Sequence, residues 1–396
     1  SQNAGSYSIS DTSSLTISDN TGQASNYTLS GGTHNFTISR KAVNITGSRQ
    51  YDASTNIAHS VVPNASITNT VNSETLTLTG GVGTTTSANV GTYELGNSSE
   101  GTLVLGNGTG LASNYTLTGG TQTYTITQRV LNSSGSKIYD ANTDAIAANI
   151  TLSNLASTET LNHSGTASIG SANAGSYTIT NLSGVSIADG SNGGLASNYT
   201  LTGGTHNFTV NQRAISLSGT RLYDATTNAA ASDLSTMANL VGSETLTLSG
   251  TGSIASANVS SNKTVTTGTL ALADGSNGGL AANYTLSGGT HQLTVNQRPL
   301  IATLARQYDA TTTAAGSDLS SFNDLQGGET LSMTGSGTAT SANVANSIAM
   351  ATNGTLALAD GTGLASNYSL NSTIIDISQR VLNSSGSKIY DANTDA

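Results

Sequence analysis

The fold of this chain is decided by the stretch Leu195-Ala-Ser-Asn-Tyr-Thr-Leu-Thr-Gly-Gly-Thr-His206, which occurs five times with small changes. The copies align on an asparagine at positions 26, 114, 198, 283 and 367, so that the spacing is 84 to 88 residues. A fixed period of this length indicates an array of small domains. A unit of about 85 residues has a core that is only modestly stable on its own.

The period divides the chain into four full repeats with a partial repeat at each end. The predicted domains are 1–40, the C-terminal part of a repeat; the full repeats 41–128, 129–212, 213–297 and 298–379; and 380–396, the N-terminal part of a further repeat. Because both ends fall inside a repeat, we expect the chain to be a piece of a longer array. No Pro- or Gly-rich linker separates the repeats. We therefore expect stiff junctions and an elongated rod on the order of 140 Å, at ~3.3 Å per strand residue.

Alternating apolar and polar residues predict short strands throughout each repeat. In repeat 213–297 they predict a first strand that starts at Arg213, a second over Ser243–Gly250 and a variable strand over Thr264–Ala273. The Asn-Tyr-Thr-Leu motif is interpreted as a strand that a Gly-Gly hairpin turn joins to the final strand, because paired glycines supply positive φ. Six or seven short strands in this length predict an all-β, Ig-like β-sandwich. A β-solenoid is the structural alternative, but its repeats are shorter.

Two pairs of residues recur in the full repeats and form their structural signature. The first pair is Tyr-Asp, at Tyr51 and Asp52, Tyr139 and Asp140, Tyr223 and Asp224, and Tyr308 and Asp309. The second pair is Asn-Tyr, at Asn114 and Tyr115, Asn198 and Tyr199, Asn283 and Tyr284, and Asn367 and Tyr368. We expect the tyrosines to anchor the core, because an aromatic side chain buries roughly 150–250 Å².

The Tyr-Asp pair predicts the end of a strand and a turn, in which the aspartate accepts the N–H two residues on. A Lys or Arg stands two residues before each of these tyrosines. We expect this cation to pair with that aspartate or with a glutamate that recurs at Glu74, Glu159, Glu244 and Glu329. For the segment after the turn we predict an irregular strand with a turn. A short helical turn is the alternative, since Leu234, Met237 and Leu240 recur every three residues.

The composition argues against several classes of function. The 396 residues contain 12 Lys and Arg against 22 Asp and Glu, which gives a net charge of −10 at pH 7. No basic stripe of the kind that nucleic-acid binding needs is present. There is no cysteine, and hence no disulfide or thiolate chemistry. No run approaches the ~20 apolar residues of a membrane span, so we expect no membrane insertion.

The sequence contains no pattern that predicts catalysis, a cofactor or a metal ion. One position of the repeat holds His34, His206 and His291. Because Gln122 stands there in another copy, we expect a structural strand residue rather than a metal ligand. The glycine-rich loop that begins at Asp189 supplies one carboxylate and matches no calcium-binding pattern. Neither a nucleophile elbow nor a recurring triad is present, and we expect no enzyme activity.

The chain resembles a known class of repeat. An Arg/Lys-x-Tyr-Asp motif is followed by Asn-Tyr-Thr-Leu, with 60 to 64 residues from the tyrosine of the first to the tyrosine of the second. This order is similar to the YDG-type repeats and to related mostly-β glycine-rich repeats. Those repeats occur in very large filamentous-haemagglutinin-like adhesins of Gram-negative bacteria, which are typically exported by two-partner secretion. The resemblance implies a stalk or matrix-interacting segment without catalytic residues. This chain departs from the pattern in having Ala after Tyr-Asp, as at Ala225, where the family commonly has Gly.

We therefore expect an extracellular protein of the bacterial surface. The leading hypothesis is a structural stalk or adhesive repeat region of a large secreted adhesin or biofilm-matrix protein, whose partners are neighbouring repeats of the same chain. A multivalent polysaccharide-binding array and a subunit of a self-assembling extracellular filament, joined through open strand edges, are the alternatives. Residues 129–145 and 380–396 are identical, which fits either a super-repeat of three units or tandem duplication in a long gene.

Overall fold

The computed structural model describes residues 2–61, 65–95, 101–179 and 181–394. Parts of the predicted domains, at 1, 62–64, 96–100, 180 and 395–396, lie outside the described residues. The described chain forms β-strands and single 3₁₀ turns, without an α-helix in those ranges. It divides into a first compact unit, up to Lys137 and over Asn142–Thr209, and a second, over Ile138–Ala141 and from Val210 onward.

The first compact unit contains most of the first 21 strands. They are β1 Gly5–Ser8, β2 Asn35–Ile38, β3 Lys41–Ala42, β4 Asn44–Gln50, β5 Asn56–Ala58, β6 Ser66–Thr68, β7 Leu76–Gly80, β8 Val82–Thr84, β9 Gly91–Glu94, β10 Val104–Asn107, β11 Tyr115–Thr116, β12 Gln122–Thr127, β13 Arg129–Val130, β14 Asn132–Ile138, β15 Asp144–Ile146, β16 Ile150–Ser153, β17 Leu161–Ser168, β18 Gly175–Thr178, β19 Val185–Asp189, β20 Tyr199–Thr200 and β21 His206–Asn211. Its 3₁₀ turns are Ala24–Asn26, His59–Val61, Ala112–Asn114, Ala147–Asn149 and Ala196–Asn198.

The second compact unit contains the two repeats that follow. Their strands are β22 Arg213–Ala214, β23 Ser216–Leu222, β24 Asn228–Ala230, β25 Thr236–Ala238, β26 Leu246–Ser249, β27 Thr251–Ile254, β28 Ser260–Thr266, β29 Ala271–Asp274, β30 Tyr284–Thr285, β31 His291–Asn296, β32 Arg298–Gln307, β33 Thr313–Ala315, β34 Leu319–Phe322, β35 Leu331–Thr334, β36 Ser336–Ala339, β37 Ala345–Thr352, β38 Ala357–Asp360 and β39 Tyr368–Ser378. Its 3₁₀ turns are Ala231–Asp233, Ala281–Asn283, Gly316–Asp318 and Ala365–Asn367.

Each repeat of the second unit is built from a large curled sheet and a small two-stranded sheet, and repeat 213–297 also has the two-stranded pair β22-β30. In repeat 298–379 the large sheet has the order β33-β36-β37-β39-β32-β34 and the small sheet pairs β35 with β38. The core lies between them, where Met333 of the small sheet packs with Ala302, Leu304, Ile375 and Ile377 of the large one. The expected tandem array of all-β sandwich repeats of about 85 residues is therefore confirmed.

The first and last strands of each repeat pair in parallel. The longest such ladder joins β32 to β39, from Arg298 opposite Tyr368 to Gln307 opposite Ser378. The same pairing joins β4 to β12 and β23 to β31. Alternation predicts which face of a strand is buried but not the direction of its neighbour, so this feature could not be predicted from the sequence pattern.

The prediction of a Gly-Gly hairpin is wrong. In repeat 213–297, β30 and β31 do not pair with each other, since both lie along the first strand, on β22 and β23. The residues between them, 286–290, form a bulge in one parallel ladder. Gly288 has the predicted positive φ of 81°, whereas Gly289 is required because a Cβ there would collide with the carbonyl of Ile215. In the last repeat, which lacks the glycines, β39 runs unbroken.

Three other predictions of elements need correction. Repeat 213–297 has ten short strands and repeat 298–379 has eight, not six or seven. The predicted strand 264–273 is interrupted by a turn with Gly268 at φ 54°. The Asn-Tyr-Thr-Leu motif is not one strand in repeat 213–297, because its asparagine ends a 3₁₀ turn and only Tyr284 and Thr285 pair. After the Tyr-Asp turn, two short strands flank a 3₁₀ turn, as the expected irregular strand with a turn implies.

The segment 380–394 forms no strand, although its sequence predicts the start of a repeat. Leu382 is 89% exposed, whereas the identical position Leu131 is fully buried. In repeat 129–212 the corresponding Arg129 pairs with Tyr199, 70 residues further along the chain, whereas residues 380–394 make no such pairing in the structure.

The alanine of Tyr-Asp-Ala explains why related repeats have glycine there. Ala225 has a φ of 62°, in the left-handed region. That conformation costs alanine roughly 1–2 kcal/mol, while glycine loses roughly 0.5–1 kcal/mol more backbone entropy on folding. We therefore expect Ala225→Gly to stabilise the second compact unit by about 0.5–1 kcal/mol, measured by denaturant unfolding. Ala238→Gly, at an exposed strand position, is the control and should destabilise it; equal effects would contradict this account.

Candidate functional site: the junction between repeats

The junction between repeats 41–128 and 129–212 is centred on one carboxylate. Glu159 accepts a hydrogen bond at Oε1 from the hydroxyl of Tyr51, at 2.5 Å, and at Oε2 from the hydroxyl of Tyr199, at 2.5 Å. Tyr51 belongs to the first repeat, whereas Glu159 and Tyr199 belong to the next. The two rings meet edge to face, with centroids 5.4 Å apart and planes at 78°. We name this arrangement the Tyr–Glu–Tyr junction.

The second compact unit contains two further Tyr–Glu–Tyr junctions. In one, Glu244 accepts from Tyr139 at 2.7 Å and from Tyr284 at 2.6 Å. In the other, Glu329 accepts from Tyr223 at 2.6 Å and from Tyr368 at 2.7 Å. Both ring pairs lie 5.3 Å apart, with interplanar angles of 76° and 78°. The arrangement is therefore a property of the repeat.

Local structure fixes each member of the junction. Tyr51 follows β4, and its N–H donates to the carbonyl of Thr127, at 2.9 Å. Glu159 ends a turn in which its N–H donates to the carbonyl of Ala156, at 3.1 Å. The N–H of Ala156 in turn donates to the hydroxyl of Tyr199, at 3.0 Å. This hydroxyl therefore both donates and accepts, as a buried hydroxyl requires.

An arginine at the start of repeats 129–212, 213–297 and 298–379 adds a second connection. Arg129 donates through Nη1 to the carbonyl of Tyr51 in the preceding repeat, at 3.2 Å, and through Nε and Nη2 to the carbonyl and side chain of Asn154 in its own. The same contacts recur for Arg213 with Tyr139 and Asn239. Arg298 also donates to the carbonyl of Tyr223, but its Nε and Nη2 both donate to the carboxylate of Asp324. The planar guanidinium suits this role, because its donors lie in a fixed fork.

The asparagine of Asn-Tyr makes the third connection. Asn198 is fully buried, accepts at Oδ1 from the N–H of Val90, at 2.9 Å, and donates through Nδ2 to Oδ1 of Asn89, at 3.0 Å. Asn89 and Val90 belong to the preceding repeat. Asn367 makes the same two bonds to Val259 and Asn258.

The hydrophobic core continues through the junction. One cluster of buried side chains contains Leu95 and Tyr124 of repeat 41–128 together with Leu131 and Ala156 of repeat 129–212. Tyr51 and Tyr199 belong to the same cluster. Apolar packing and hydrogen bonding therefore coincide at this boundary, and the two repeats share part of one core.

Burial keeps the junction tyrosines protonated. Burial first, and then the hydrogen bond to Glu159, raise the pKa of Tyr199 to about 12. Burial and the neighbouring glutamate also raise the pKa of Tyr139, Tyr284 and Tyr368 to about 12. The neutral hydroxyl is the form that donates to the carboxylate, so protonation and the junction depend on one another.

The cation before Tyr-Asp pairs inside its own turn, not with the glutamate. Arg221 contacts the carboxylate of Asp224, and Thr226 donates its N–H to Oδ1 of Asp224 at 3.0 Å, as expected for this turn. The equivalent ion pairs are Arg49 with Asp52, Arg306 with Asp309 and Lys388 with Asp391. The backbone N–H of Thr311 first, and then Arg306, lower the pKa of Asp309 to about 2.

The structure brings most predicted signature residues together at the junctions. Tyr51, Tyr139, Tyr223, Tyr199, Tyr284 and Tyr368 are all buried there. Tyr115 donates to Glu74, Asn114 is bonded to Ala4 and Asn3, and Asn283 is buried. Tyr308 is 38% exposed. The aspartates at 52, 224 and 309 lie in the turns, paired with their cations, and Asp140 follows Tyr139.

Sequence reasoning missed the role of the glutamate and of the first arginine. The signal was present in the even spacing of the glutamates at 74, 159, 244 and 329. The partner was not visible, because Tyr51 and Glu159 are 108 residues apart. That separation exceeds one period, so the contact appears only when consecutive repeats are compared.

The other polar candidates have structural partners. His206 bonds through Nε2 to the carbonyl of Leu201, at 2.8 Å, across the bulge. Gln122 spans the equivalent bulge with an Nε2 bond to Leu117 at 3.0 Å. In the glycine-rich loop, Oδ1 of Asp189 accepts a hydrogen bond from the backbone N–H of Ala196, at 2.7 Å. Within the described ranges no cluster of three or more His, Asp or Glu could hold a metal ion, and no helix there is long and apolar enough to span a membrane.

The first prediction for the junction compares two tyrosines of the same motif. Tyr223→Phe removes one donor from Glu329 and should lower the free energy of unfolding by about 1.5–3 kcal/mol, the range for hydrogen bonds to charged groups. Tyr308→Phe is the matched control and should change it little, since Tyr308 is 38% exposed whereas Tyr223 is 3% exposed. Denaturant unfolding of both variants tests this, and similar losses would argue against the junction.

The second prediction concerns alkaline pH. An unfolded tyrosine has a pKa of about 10, and that of the folded Tyr199 is raised to about 12. Between these values the native state binds more protons than the unfolded state, so stability falls as pH rises. We expect the midpoint of thermal unfolding to be steady on the neutral side of this window and to decline across it, together with phenolate absorbance. Ionisation of all tyrosines near pH 10 without loss of structure would contradict it.

Comparison with known proteins gives the family. The YDG domain family matches three consecutive segments, 121–208, 205–294 and 291–375. Each matched segment spans a Tyr-Asp turn and the Asn-Tyr pair that follows it, and together they cover more than half of the 396 residues. A search of curated proteins found no match. The chain belongs to the YDG domain family, of which it contains three matched tandem domains.

Proposed function

We propose that this chain is the structural stalk, or adhesive repeat region, of a large secreted bacterial surface adhesin or biofilm-matrix protein. It holds a binding domain away from the cell, and it acts through its geometry rather than through catalysis, a cofactor or a metal ion. The observation that carries the proposal is the recurrence of the Tyr–Glu–Tyr junction at three repeat boundaries. Such a boundary makes each repeat a support for the next.

The physical argument is one of coupling between neighbours. A flexible tether leaves each domain to fold and move alone, whereas arrays with large nearest-neighbour terms behave as one body. Here the repeats follow one another without a linker, and a shared core and three kinds of side-chain bond join repeats 41–128 and 129–212. A spacer requires this property, because slack between its parts would shorten its reach.

The cellular setting of the proposal follows from the resemblance to filamentous-haemagglutinin-like adhesins. It assigns the chain to the extracellular surface of a Gram-negative bacterium after two-partner secretion. An absence of cysteine and an acidic net charge of −10 are compatible with that setting. Besides the neighbouring repeats, extracellular polysaccharide and other copies of the chain are the partners proposed.

The test of the proposal is to remove one period. Deleting residues 213–297 places Arg298 directly after Gln212 and offers Tyr139 the equivalent partners Glu329 and Tyr368. If the chain is a spacer, small-angle scattering should give an extended particle that shortens by one step of roughly 30 Å, the length of a strand of about nine residues. A compact particle, or an unchanged maximum dimension, would contradict the stalk.

A matched variant separates reach from binding. Glu329→Gln keeps every repeat of the array but weakens one junction, and we expect it to broaden the distribution of lengths without shortening the chain by a step. Polysaccharide binding should be measured on the same proteins. Loss of binding in proportion to the repeats removed would favour the multivalent polysaccharide-binding array instead.

A further inference from the structure

Repeat 129–212 differs from the two repeats of the second unit in how its sheets close. In repeat 213–297, β27 pairs with β28, with Ile254 opposite Val265, and six strands form one sheet in the order β24-β27-β28-β31-β23-β25. The strands β36 and β37 pair in the same way in repeat 298–379. In the described part of repeat 129–212, β17 and β18 belong to separate sheets, with the orders β15-β17-β19 and β16-β14-β21-β18. The sheet is therefore split at this position.

One side chain accounts for the split. Gly252 of β27 lies so close to β28 that a Cβ there would be 2.6 Å from the carbonyl oxygen of Thr266. Gly337 has the same position in the next repeat, where a Cβ would be 2.8 Å from the carbonyl oxygen of Thr352. The equivalent residue of β17 is Ala167. Because close-packed atoms do not overlap, its methyl group keeps β18 from the approach that β28 makes.

A cleft of about 730 Å³ lies between β18 and β19, which belong to the two separate sheets. Its apolar lining includes Ile179 and Val185, which are 2% and 7% exposed. Ile187 and Leu201 line it as well, and both pack against the core cluster of the junction. Small-molecule sites are typically clefts of roughly 300–1,000 Å³ with a mainly apolar lining. The size and the floor of this cleft are those of a ligand site.

The lining of the cleft is uncharged. No Asp, Glu, Lys or Arg is among the described residues that line it. A neutral His206 satisfies both of its partners, since Nδ1 accepts from the hydroxyl of Ser133 at 2.9 Å and Nε2 donates to the carbonyl of Leu201 at 2.8 Å. The hydroxyl of Tyr199 already donates to Glu159. Because burying an ionised group without a partner is costly, the cleft favours an uncharged ligand.

The rim of the cleft supplies hydroxyl and amide groups. Thr178 and Thr202 are both exposed there. Asn181 accepts at Oδ1 from the N–H of Ser183, at 2.8 Å, which fixes the orientation of its amide and leaves Nδ2 as a donor for a ligand. The ring of Tyr199 is only 1% exposed, so it does not provide a stacking surface for a sugar. A polar end at the rim and an aliphatic body on the floor therefore fit the lining best.

We propose that the cleft of repeat 129–212 binds a neutral aliphatic amphiphile, an uncharged molecule with an alkyl chain and a hydroxyl or amide end. The alkyl chain lies on Ile179, Val185 and Leu201, and the oxygen of the polar end accepts a hydrogen bond from Nδ2 of Asn181. Burial of the alkyl chain supplies the affinity, and the uncharged lining supplies the selectivity. The proposal goes beyond the stalk function and does not rest on it.

The experiment titrates the intact chain with 1-octanol at pH 7 by calorimetry, with octanoate and octylammonium as charged counterparts of the same chain length. We expect saturable binding of 1-octanol at one site and a rise in the midpoint of thermal unfolding, because a ligand that binds only the folded state stabilises it. The charged counterparts should bind at least about tenfold more weakly. Absence of saturable 1-octanol binding, or equal binding of all three molecules, would overturn the proposal.

A pair of matched substitutions locates the site. Leu201→Phe places a larger side chain in the cleft and should lower the affinity for 1-octanol at least about tenfold, because the alkyl chain loses its space. Leu286→Phe is the control, since Leu286 has the equivalent position in repeat 213–297, where β27 and β28 are paired. It should bind 1-octanol as the unchanged chain does. Equal affinities of the two variants would show that the ligand binds elsewhere and overturn the site.

A second pair tests the rim without disturbing the packing, and it decides the matter if Leu201→Phe unfolds the repeat. Asn181→Asp keeps the acceptor for the N–H of Ser183 but replaces the amide donor with a charge. It should weaken 1-octanol binding and strengthen octylammonium binding. Ser186→Asp adds the same charge at an exposed position of β19 outside the lining and should change neither affinity. The same response in both variants would indicate a long-range effect of charge and overturn the contact with Asn181.

Discussion

A carboxylate shared by two tyrosine hydroxyls is the interaction on which the array depends. Glu159 is 7% exposed, and a carboxylate buried to this degree is costly without hydrogen-bond donors. Its donors come from two different repeats. Neither repeat alone can satisfy it, so the free energy of the junction belongs to the pair. Tyr223, in a complete junction, is 3% exposed, whereas Tyr308 is 38% exposed.

The sharing also explains why the structural boundary differs from the boundary in the sequence. The short segment Ile138–Ala141 carries Tyr139 and groups with the second compact unit, although the rest of its strand belongs to the first. The YDG family match likewise begins at residue 121, immediately before the last strand of a preceding repeat. The repeat in the sequence and the packed unit are therefore offset. The tyrosine at the end of each first strand, such as Tyr139 or Tyr223, packs against the glutamate of the following repeat.

The sequence predicted what depends on local pattern. The period, the all-β sandwich repeats, the Asp224 turn and burial of Tyr199 and Tyr223 all follow from alternation, turn chemistry and side-chain size. It did not predict features that depend on a distant partner. Positive φ at Gly288 fits both a hairpin turn and a bulge, and only the pairing of Thr285 with Ala214 distinguishes them. The role of Glu159 could not be predicted because its partner Tyr51 is 108 residues away, which is more than one period.

The parallel pairing of first and last strands has a mechanical consequence. The chain enters repeat 298–379 at the start of β32 and leaves it at the end of β39, and the two strands lie side by side over ten register pairs. Tension applied at those two points slides one strand along the other, so the backbone bonds between them are loaded together in shear. Peeling would break such bonds one at a time. We therefore expect a repeat to yield abruptly at high force, with the ladder as its clamp.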